Sequence, residues 1–262
     1  MTLLDLTVRP STAPRLEGLP VAIIGAGPIG LAAAAHLVER GIDFVVYEAG
    51  DSIAASVRTW GHVRLFSSWN ELVDPAARRL LEASGWEFPR NATLAPSGSE
   101  LIDKYLAPLA ALPQIASRLR LGTSVAAVSR EGMDRTRSAG RASVPLLLRV
   151  TDGDGVRDAT ARAVIDASGT YRSPNSLGSS GLDPLGLAEV ADLVTAALPD
   201  VLGTERARFR NRHVTVLGAG HSAANTLIAL ATLVQTEQQT RITWVIRTGS
   251  AARILTGQAD EL

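Results

Sequence analysis

The sequence predicts an α/β protein built on two β–α–β units, and two stretches of the chain lead to this fold class. Residues 19–48 contain a short apolar run, a glycine turn, a helical stretch that ends at Gly41 and a second apolar run. Residues 213–247 repeat the same order. Because a helix that joins two strands of this kind makes them parallel, each unit predicts a piece of parallel sheet.

The region between the two units predicts a small antiparallel meander. Short apolar runs at 118–130, 143–152 and 155–169 are separated by Gly and Asp turns, as is typical of short strands. The charged segment 131–143 is expected to be an exposed loop, and 163–167 a final buried strand. The predicted fold is therefore a parallel sheet with a small antiparallel meander, followed by a second, incomplete unit.

The composition excludes several classes of function. The 262 residues include 26 basic and 26 acidic side chains, and this balance leaves no electrostatic footprint for nucleic-acid binding. The absence of cysteine removes disulfides, thiolate zinc sites, iron–sulfur clusters and redox dithiols. All basic residues except Lys104 are arginine, and the four histidines have no metal-ligand spacing. We expect no metal site, and any redox activity would need an organic cofactor.

Composition also suggests how the chain is divided. Residues 1–18 carry charges and prolines, so they are expected to be a leader that is neither a secretory signal nor a membrane span. We predict a first nucleotide-binding domain at 19–174, a Pro-, Gly- and Ser-rich linker at 175–212 and a partial second domain at 213–262. Apolar runs elsewhere are interrupted by Gly or charge, which predicts a cytoplasmic protein without membrane contact.

The first glycine turn has the spacing of a dinucleotide-binding motif. Gly25, Gly27 and Gly30 form G-x-G-x-x-G after an apolar run, and a helix is expected to begin near Pro28. The first glycine permits the tight turn, the second lets the backbone approach a pyrophosphate, and the third permits close helix–strand packing. Glu48 ends the second apolar run, where a carboxylate can accept hydrogen bonds from an adenosine ribose. The alternative is a glycine turn that only packs tightly.

The second turn follows the same plan with two differences. Ala223 stands in the third glycine position after Gly218 and Gly220. The following strand leads to Arg247 rather than to an acid, and an arginine fork suits the 2′-phosphate of NADP. This favours NADPH over NADH. Since arginine is the default basic residue of this chain, Arg247 as an ordinary surface charge is the alternative.

The two turns together resemble those of the two-dinucleotide-binding-domain flavoproteins, especially the NAD(P)H-dependent flavin monooxygenase-like branch of the pyridine nucleotide oxidoreductases. The stretches that carry the likeness are VAIIGAGPIGLAAAAHL with Glu48, VIDASGTYRSPN at 164–175 and VTVLGAGHSAAN at 214–225. The resemblance implies a Rossmann-like FAD-binding domain and an incomplete Rossmann-like NAD(P)-binding unit.

The same resemblance implies cofactor contacts at particular residues. FAD would be held by the first glycine turn, by the carboxylate of Glu48, by Gly169 of the Asp-Ala-Ser-Gly segment and by the backbone of Val125 in the meander. The contacts in the first glycine turn would be Gly25, Gly27, Pro28, Ile29 and Gly30. NADP would be held at the second turn and after its second strand: Gly218, Gly220, His221, Ser222 and Arg247. The segment 56–70 corresponds to the flavin-ring side, where the candidates are Arg58, Trp60, Ser67 and Trp69. The alternative for this segment is packing with solvated charges.

Two departures from the family pattern bear on function. The linker 171–190 lacks the Phe-x-Gly-x-x-x-His pattern of the best-known flavin monooxygenases. The chain also ends soon after the second strand of the second unit, so we expect a truncated family member, with residues 249–262 supplying one short helix. Such a protein would be completed by a homo-oligomer or another chain.

The resemblance implies an FAD-dependent oxidoreductase that accepts hydride from NADPH, is monooxygenase-like and acts on a small-molecule substrate. One alternative is a flavin reductase or dehydrogenase that does not oxygenate. Another is a non-catalytic nucleotide-binding remnant or a subunit completed by another chain.

Overall fold

The computed structural model describes residues 16–178 and 180–247. Most of the predicted leader and the helix predicted within 249–262 lie outside the described residues. The described residues form two compact units. The first unit contains residues up to 55 together with 73–88 and 104–169, and the second contains 56–72, 89–103 and the residues from 170 onwards.

The secondary structure alternates between strands and helices near both ends of the described chain. The strands are β1 (Val21–Ile24), β2 (Phe44–Tyr47), β3 (Leu119–Arg120), β4 (Ser124–Arg130), β5 (Leu146–Asp152), β6 (Gly155–Ala161), β7 (Ala163–Asp166), β8 (His213–Leu217) and β9 (Arg241–Val245). The α-helices are α1 (Pro28–Glu39), α2 (Ala55–Thr59), α3 (Trp69–Leu72), α4 (Pro75–Ala83), α5 (Gly98–Leu101), α6 (Ala107–Ala111), α7 (Pro113–Ala116), α8 (Arg206–Phe209) and α9 (His221–Thr236). A π-helical turn spans Ile102–Leu106, and 3₁₀ turns span Arg141–Ser143 and Ala188–Leu193.

The first unit is built on a parallel sheet with the strand order β3-β2-β1-β7. β1 has neighbours on both sides, and its Ala22 and Ile23 are fully buried. α1 contributes Leu31 and Ala34 to the buried apolar residues. The predicted first β–α–β unit is therefore confirmed. The predicted final strand is also present as β7, but it is half-buried rather than buried because it lies at an edge of this sheet.

The antiparallel meander is formed by β4, β5 and β6. Leu148 and Val150 of β5 are fully buried and pack in one cluster with Ala22 and Tyr47 of the parallel sheet. The predicted single run at 118–130 is two strands, because the chain turns at Gly122, whose φ is +60°. β3 thereby joins the parallel sheet, and β4 begins the meander.

The second unit repeats the β–α–β plan, as the sequence predicts. β8 and β9 are parallel, and α9 connects them. Val216, Leu230 and Leu233 are buried in a cluster on one side of the two strands. Within the ranges that the structure describes, no helix is long and apolar enough to cross a membrane.

The helical region between β2 and β3 was not anticipated from the sequence. Its best-defined helix is α4, whose N-cap Asp74 accepts hydrogen bonds from the backbone N–H groups of Ala76 and Ala77 at 2.8 and 3.0 Å. The carboxylate of Asp74 also lies 3.1 Å from Nε2 of His36 in α1. His36 therefore has a role in the packing of these two helices. The backbone N–H of Asp74 donates to the hydroxyl of Tyr105, 3.2 Å away.

The buried phenol of Tyr105 should make the fold less stable at alkaline pH. Burial raises the pKa of this phenol from 10.0 to about 12. Between about pH 10 and pH 12 the unfolded chain loses this proton while the folded chain keeps it, so the free energy of unfolding should fall as the pH rises. The Tyr105→Phe variant should lack this contribution to the pH dependence of the free energy of unfolding, as measured by urea unfolding. A pH profile identical to that of the wild type would contradict the assignment.

Candidate nucleotide-binding sites

The first glycine turn is closely packed at two of its three glycines. Gly25 follows β1 with a φ of +98°, and a Cβ there would lie 2.6 Å from the carbonyl oxygen of Ala167. A Cβ on Gly30 would collide with the carbonyl oxygen of Gly25, because α1 crosses the end of β1 at this point. These two positions require glycine for the packing of the turn itself, whether or not a ligand binds.

Gly27 differs from the other two glycines because its packing against the described residues does not require glycine. Its φ is −82°, and a Cβ there would meet no atom within 4 Å. Gly27 is also the N-cap of α1, where no side chain caps the helix, and Pro28 has no N–H to offer. The opening in front of Gly27 therefore faces the positive end of a helix of 12 residues. This open cradle fits a diphosphate such as that of FAD. Ile29, in the first turn of the helix, is 69% exposed.

Glu48 has a structural role that the sequence did not reveal. It is buried, and its Oε2 accepts a hydrogen bond from the backbone N–H of Ala26 at 2.8 Å. Its Oε1 accepts one from the N–H of Gly50, also at 2.8 Å. The carboxylate thus ties the glycine turn to the end of β2. Each oxygen keeps a further lone pair, so the geometry remains compatible with a ribose hydroxyl as an additional donor.

The segment after β7 returns the chain to the first turn. The backbone N–H of Ala167 donates to Ile24 at 2.9 Å. Asp166 accepts bonds from the hydroxyl and the N–H of Ser168, at 2.7 and 3.1 Å, and these bonds lower the pKa of its carboxyl. A carboxylate held in this way is a poor proton acceptor, which favours a capping role over that of a general base. Gly169 follows with a φ of +71° and open space at its Cβ position.

Val125 lies on β4, an edge strand of the meander. Its side chain is half-buried and packs against the cluster that contains Leu148. The pairing with β5 shifts between Val125 and Ala127, which marks a β-bulge. Only one side of an edge strand is paired within its sheet, so backbone groups on the other side of β4 are available to a ligand.

The second glycine turn is held by a tryptophan. Gly218 follows β8 with a φ of +119°, and its N–H donates to the carbonyl of Val245 at 3.0 Å. Its own carbonyl accepts a hydrogen bond from Nε1 of Trp244 at 2.7 Å. Gly220 is the N-cap of α9 without a side-chain cap, and a Cβ there would meet nothing within 4 Å. Ala223 in the third position is buried against the core of this unit. The turn therefore offers an opening at a helix N-terminus like that of the first turn.

The remaining second-site candidates are exposed. His221 and Ser222 begin α9, and the carbonyl of Ser222 accepts a bond from Thr226 within the helix. Arg247 lies two residues beyond the end of β9. The imidazole of His221 stacks on Phe66, with ring centroids 4.7 Å apart. Sequence reasoning missed both Phe66 and Trp244, since neither belongs to a motif.

The segment 56–70, predicted for the flavin-ring side, is grouped with the second unit. Arg58 is exposed. The ring of Trp60 lies 3.0 Å from the Cβ position of Gly98, and Trp69 is buried at 4% exposure. Packing accounts for both tryptophans, while Ser67 is half-buried.

Comparison with known proteins bears out the likeness to flavoproteins. Residues 20–142 match the family described as "DAO: FAD dependent oxidoreductase". Over 111 residues, which are 42% of this chain and 25% of the relative, the chain is 34% identical to indole-3-pyruvate monooxygenase YUCCA1 of Oryza sativa subsp. japonica. The sequence-based resemblance is thus confirmed.

Solved structures of flavoproteins share the fold. The FAD-bound cadaverine monooxygenase DfoA of Erwinia amylovora gives a TM-score of 0.64 at 17% identity, with 89% of this chain and 52% of that chain covered. The bacillithiol disulfide reductase Bdr (YpdA) of Bacillus cereus gives 0.60 at 20% identity, with 89% and 60% covered. OTEMO, in complex with FAD and NADP, gives 0.54 at 20% identity, with 88% and 39% covered. The predicted α/β fold class is confirmed, and the chain spans 39–60% of the length of these structures.

The contrast between Gly30 and Gly27 gives a matched test of the first turn. Gly30→Ala should lower the free energy of unfolding by about 1–3 kcal/mol, because the added methyl overpacks the crossing of α1 and β1. Gly27→Ala should change it by less than about 1 kcal/mol, since its methyl enters open space. Urea unfolding without added nucleotide measures both. Equal destabilisation by the two variants would contradict the described packing.

The two hydrogen bonds that Glu48 accepts from the backbone can also be tested by urea unfolding. Glu48→Ala should lower the free energy of unfolding by about 2–4 kcal/mol without any nucleotide, because two buried N–H groups lose a charged acceptor. Glu71→Ala is the control, since its exposed carboxylate also accepts a backbone N–H, from Ser68, and its loss should matter far less. An unchanged stability of Glu48→Ala would show that the carboxylate serves only a ligand.

Proposed function

From the confirmed likeness to FAD-dependent oxidoreductases, we propose that this chain binds FAD at its first glycine turn and NADPH at its second. The observation that carries the proposal is the same at both turns. Gly27 and Gly220 each precede a long helix without a side-chain cap, and each leaves an opening that a Cβ would enter without meeting protein. A diphosphate supplies the negative charge and the acceptor oxygens that such a helix end binds.

At the first site, different residues would bind different parts of FAD. The open backbone at Gly27 and the first turn of α1, with Pro28 and Ile29, receive the diphosphate. Glu48 accepts from the ribose while it holds the turn, and the backbone of Val125 contacts the adenine. The Asp-Ala-Ser-Gly segment, through Gly169, completes the contact near the diphosphate. Bound FAD would supply two-electron chemistry, because its ring accepts a hydride and passes electrons onward.

At the second site, the proposed contacts follow the course of the nucleotide. The opening at Gly220, with His221 and Ser222 in the first turn of α9, receives the diphosphate. Arg247 lies past the end of β9, exposed to solvent, where its guanidinium can hold the 2′-phosphate of NADP. The NADP in the OTEMO complex supports this choice of nucleotide.

We further propose a monooxygenase-like reaction on a small molecule, with the cytoplasm as the compartment. Relatives named as monooxygenases support this reaction type. The alternative, a reductase or dehydrogenase that does not oxygenate, has support from the likeness to a disulfide reductase. Since the 262 residues contain no cysteine, they cannot supply a redox-active cysteine pair for reducing a disulfide. Composition therefore argues against a disulfide reductase that works through such a pair, while a flavin reductase or dehydrogenase stays the alternative.

Anaerobic spectroscopy tests the two nucleotide sites together. The purified protein with FAD should show flavin absorption that bleaches when NADPH is added, and NADH should act more weakly. Arg247→Ala should remove the preference for NADPH, whereas Arg241→Ala, an exposed arginine at the other end of β9, should keep it.

Three results would count against the proposal. A protein that holds no FAD would support the non-catalytic alternative. An unchanged nucleotide preference in Arg247→Ala would show that Arg247 is an ordinary surface charge with no role in the choice of nucleotide. Hydrogen peroxide formed in air in equal amount to the NADPH consumed, with every substrate tried, would favour the reductase alternative.

A further inference from the structure

An aromatic pair at the start of α9 joins His221 of the second glycine turn to Phe66, which belongs to no sequence motif. The ring centroids of Phe66 and His221 are 4.7 Å apart, with an angle of 31° between the ring planes. Both residues belong to the second unit. Phe66 is 51% exposed, so burial in the core does not account for a large apolar side chain at this position.

The segment that carries Phe66 is anchored on both sides by backbone hydrogen bonds. The N–H of Leu65 donates to Pro96 at 2.9 Å, and the N–H of Trp69 donates to Leu94 at 3.2 Å. Trp69 itself is buried at 4% exposure. Phe66 is therefore presented to His221 from a fixed piece of backbone rather than from a free loop.

His221 stands directly at the opening of the second glycine turn. It is the first residue of α9 and follows the uncapped N-cap Gly220. Within the part of the chain that the structure describes, its imidazole makes a ring contact but no hydrogen bond. An imidazole in either protonation state keeps at least one N–H donor, and a donor at this position adds to those of the helix end.

We propose that Phe66 is a positioning residue for the dinucleotide phosphates and acts through His221. Stacking restricts the imidazole to orientations beside the first turn of α9, so less conformational freedom is lost when its N–H donates to a phosphate oxygen. The inference rests on the proposed function, because it assigns Phe66 to the same NADP site. It also gives the anchored segment 65–69 a role at the second nucleotide.

A double-mutant cycle on NADP⁺ binding tests the inference. Phe66→Leu should raise the Kd of NADP⁺, measured by calorimetry, about threefold to tenfold, and Phe66→Tyr should restore wild-type binding. In a His221→Ala background the Phe66→Leu change should have little further effect, because the residue through which Phe66 acts is absent. Phe88→Leu, which removes a ring in the first unit, is the control and should leave the Kd unchanged.

A second measurement examines the pair without nucleotide. The ring current of Phe66 should shift the imidazole proton resonances of His221 in the NMR spectrum, and Phe66→Leu should remove that shift while Phe66→Tyr retains it. Equal Kd values for wild type and Phe66→Leu, or additive effects in the cycle, would overturn the inference while leaving the proposed nucleotide site intact. A wild-type protein that binds no NADP⁺ would instead overturn the proposed site, and this inference with it.

Discussion

The crossing of α1 over the end of β1 is the constraint on which the first site depends. Gly30 allows the helix to approach the carbonyl of Gly25, and Glu48 ties the intervening turn to β2 through Ala26. With the turn held in this way, the N-terminus of α1 faces open space at Gly27. The packing that stabilises the fold therefore also orients the helix end toward a ligand.

The second unit reaches the same arrangement with different residues. Ala223 replaces the third glycine, and no acid occupies the end of β9 to hold the turn. The indole of Trp244 takes over part of this role by donating to the carbonyl of Gly218. Both turns thus need a side chain from the following strand or its end to hold the glycine backbone. That similarity in physical design, with different chemistry, supports the interpretation of both turns as nucleotide sites.

The sequence predicted those features that depend on local pattern. The glycine spacing and the apolar runs were sufficient for both β–α–β units, because each turn, helix start and strand is encoded within about 30 residues. The hydrogen bonds of Glu48 with Ala26 and of Trp244 with Gly218 lie within these units, but they depend on side-chain orientation, which the glycine spacing does not determine. The stack of Phe66 on His221 joins residues far apart in sequence, so no local pattern indicated it. The local signal for α4 in the sequence is the Asp74–Pro75 pair, a capping residue before proline. The flavin-side role of segment 56–70 came from the family resemblance and stays a prediction; in the structure the tryptophans of this segment pack within the second unit.

The most direct test of the central claim is the binding of FAD to wild type and to Gly27→Val, measured by quenching of flavin fluorescence under equilibrium conditions. Because no described residue occupies the space at Gly27, valine there should leave the fold intact, as circular dichroism would show, and should abolish the proposed FAD binding. Undiminished FAD binding by a folded Gly27→Val protein would contradict the account, since the diphosphate could not then lie against this turn.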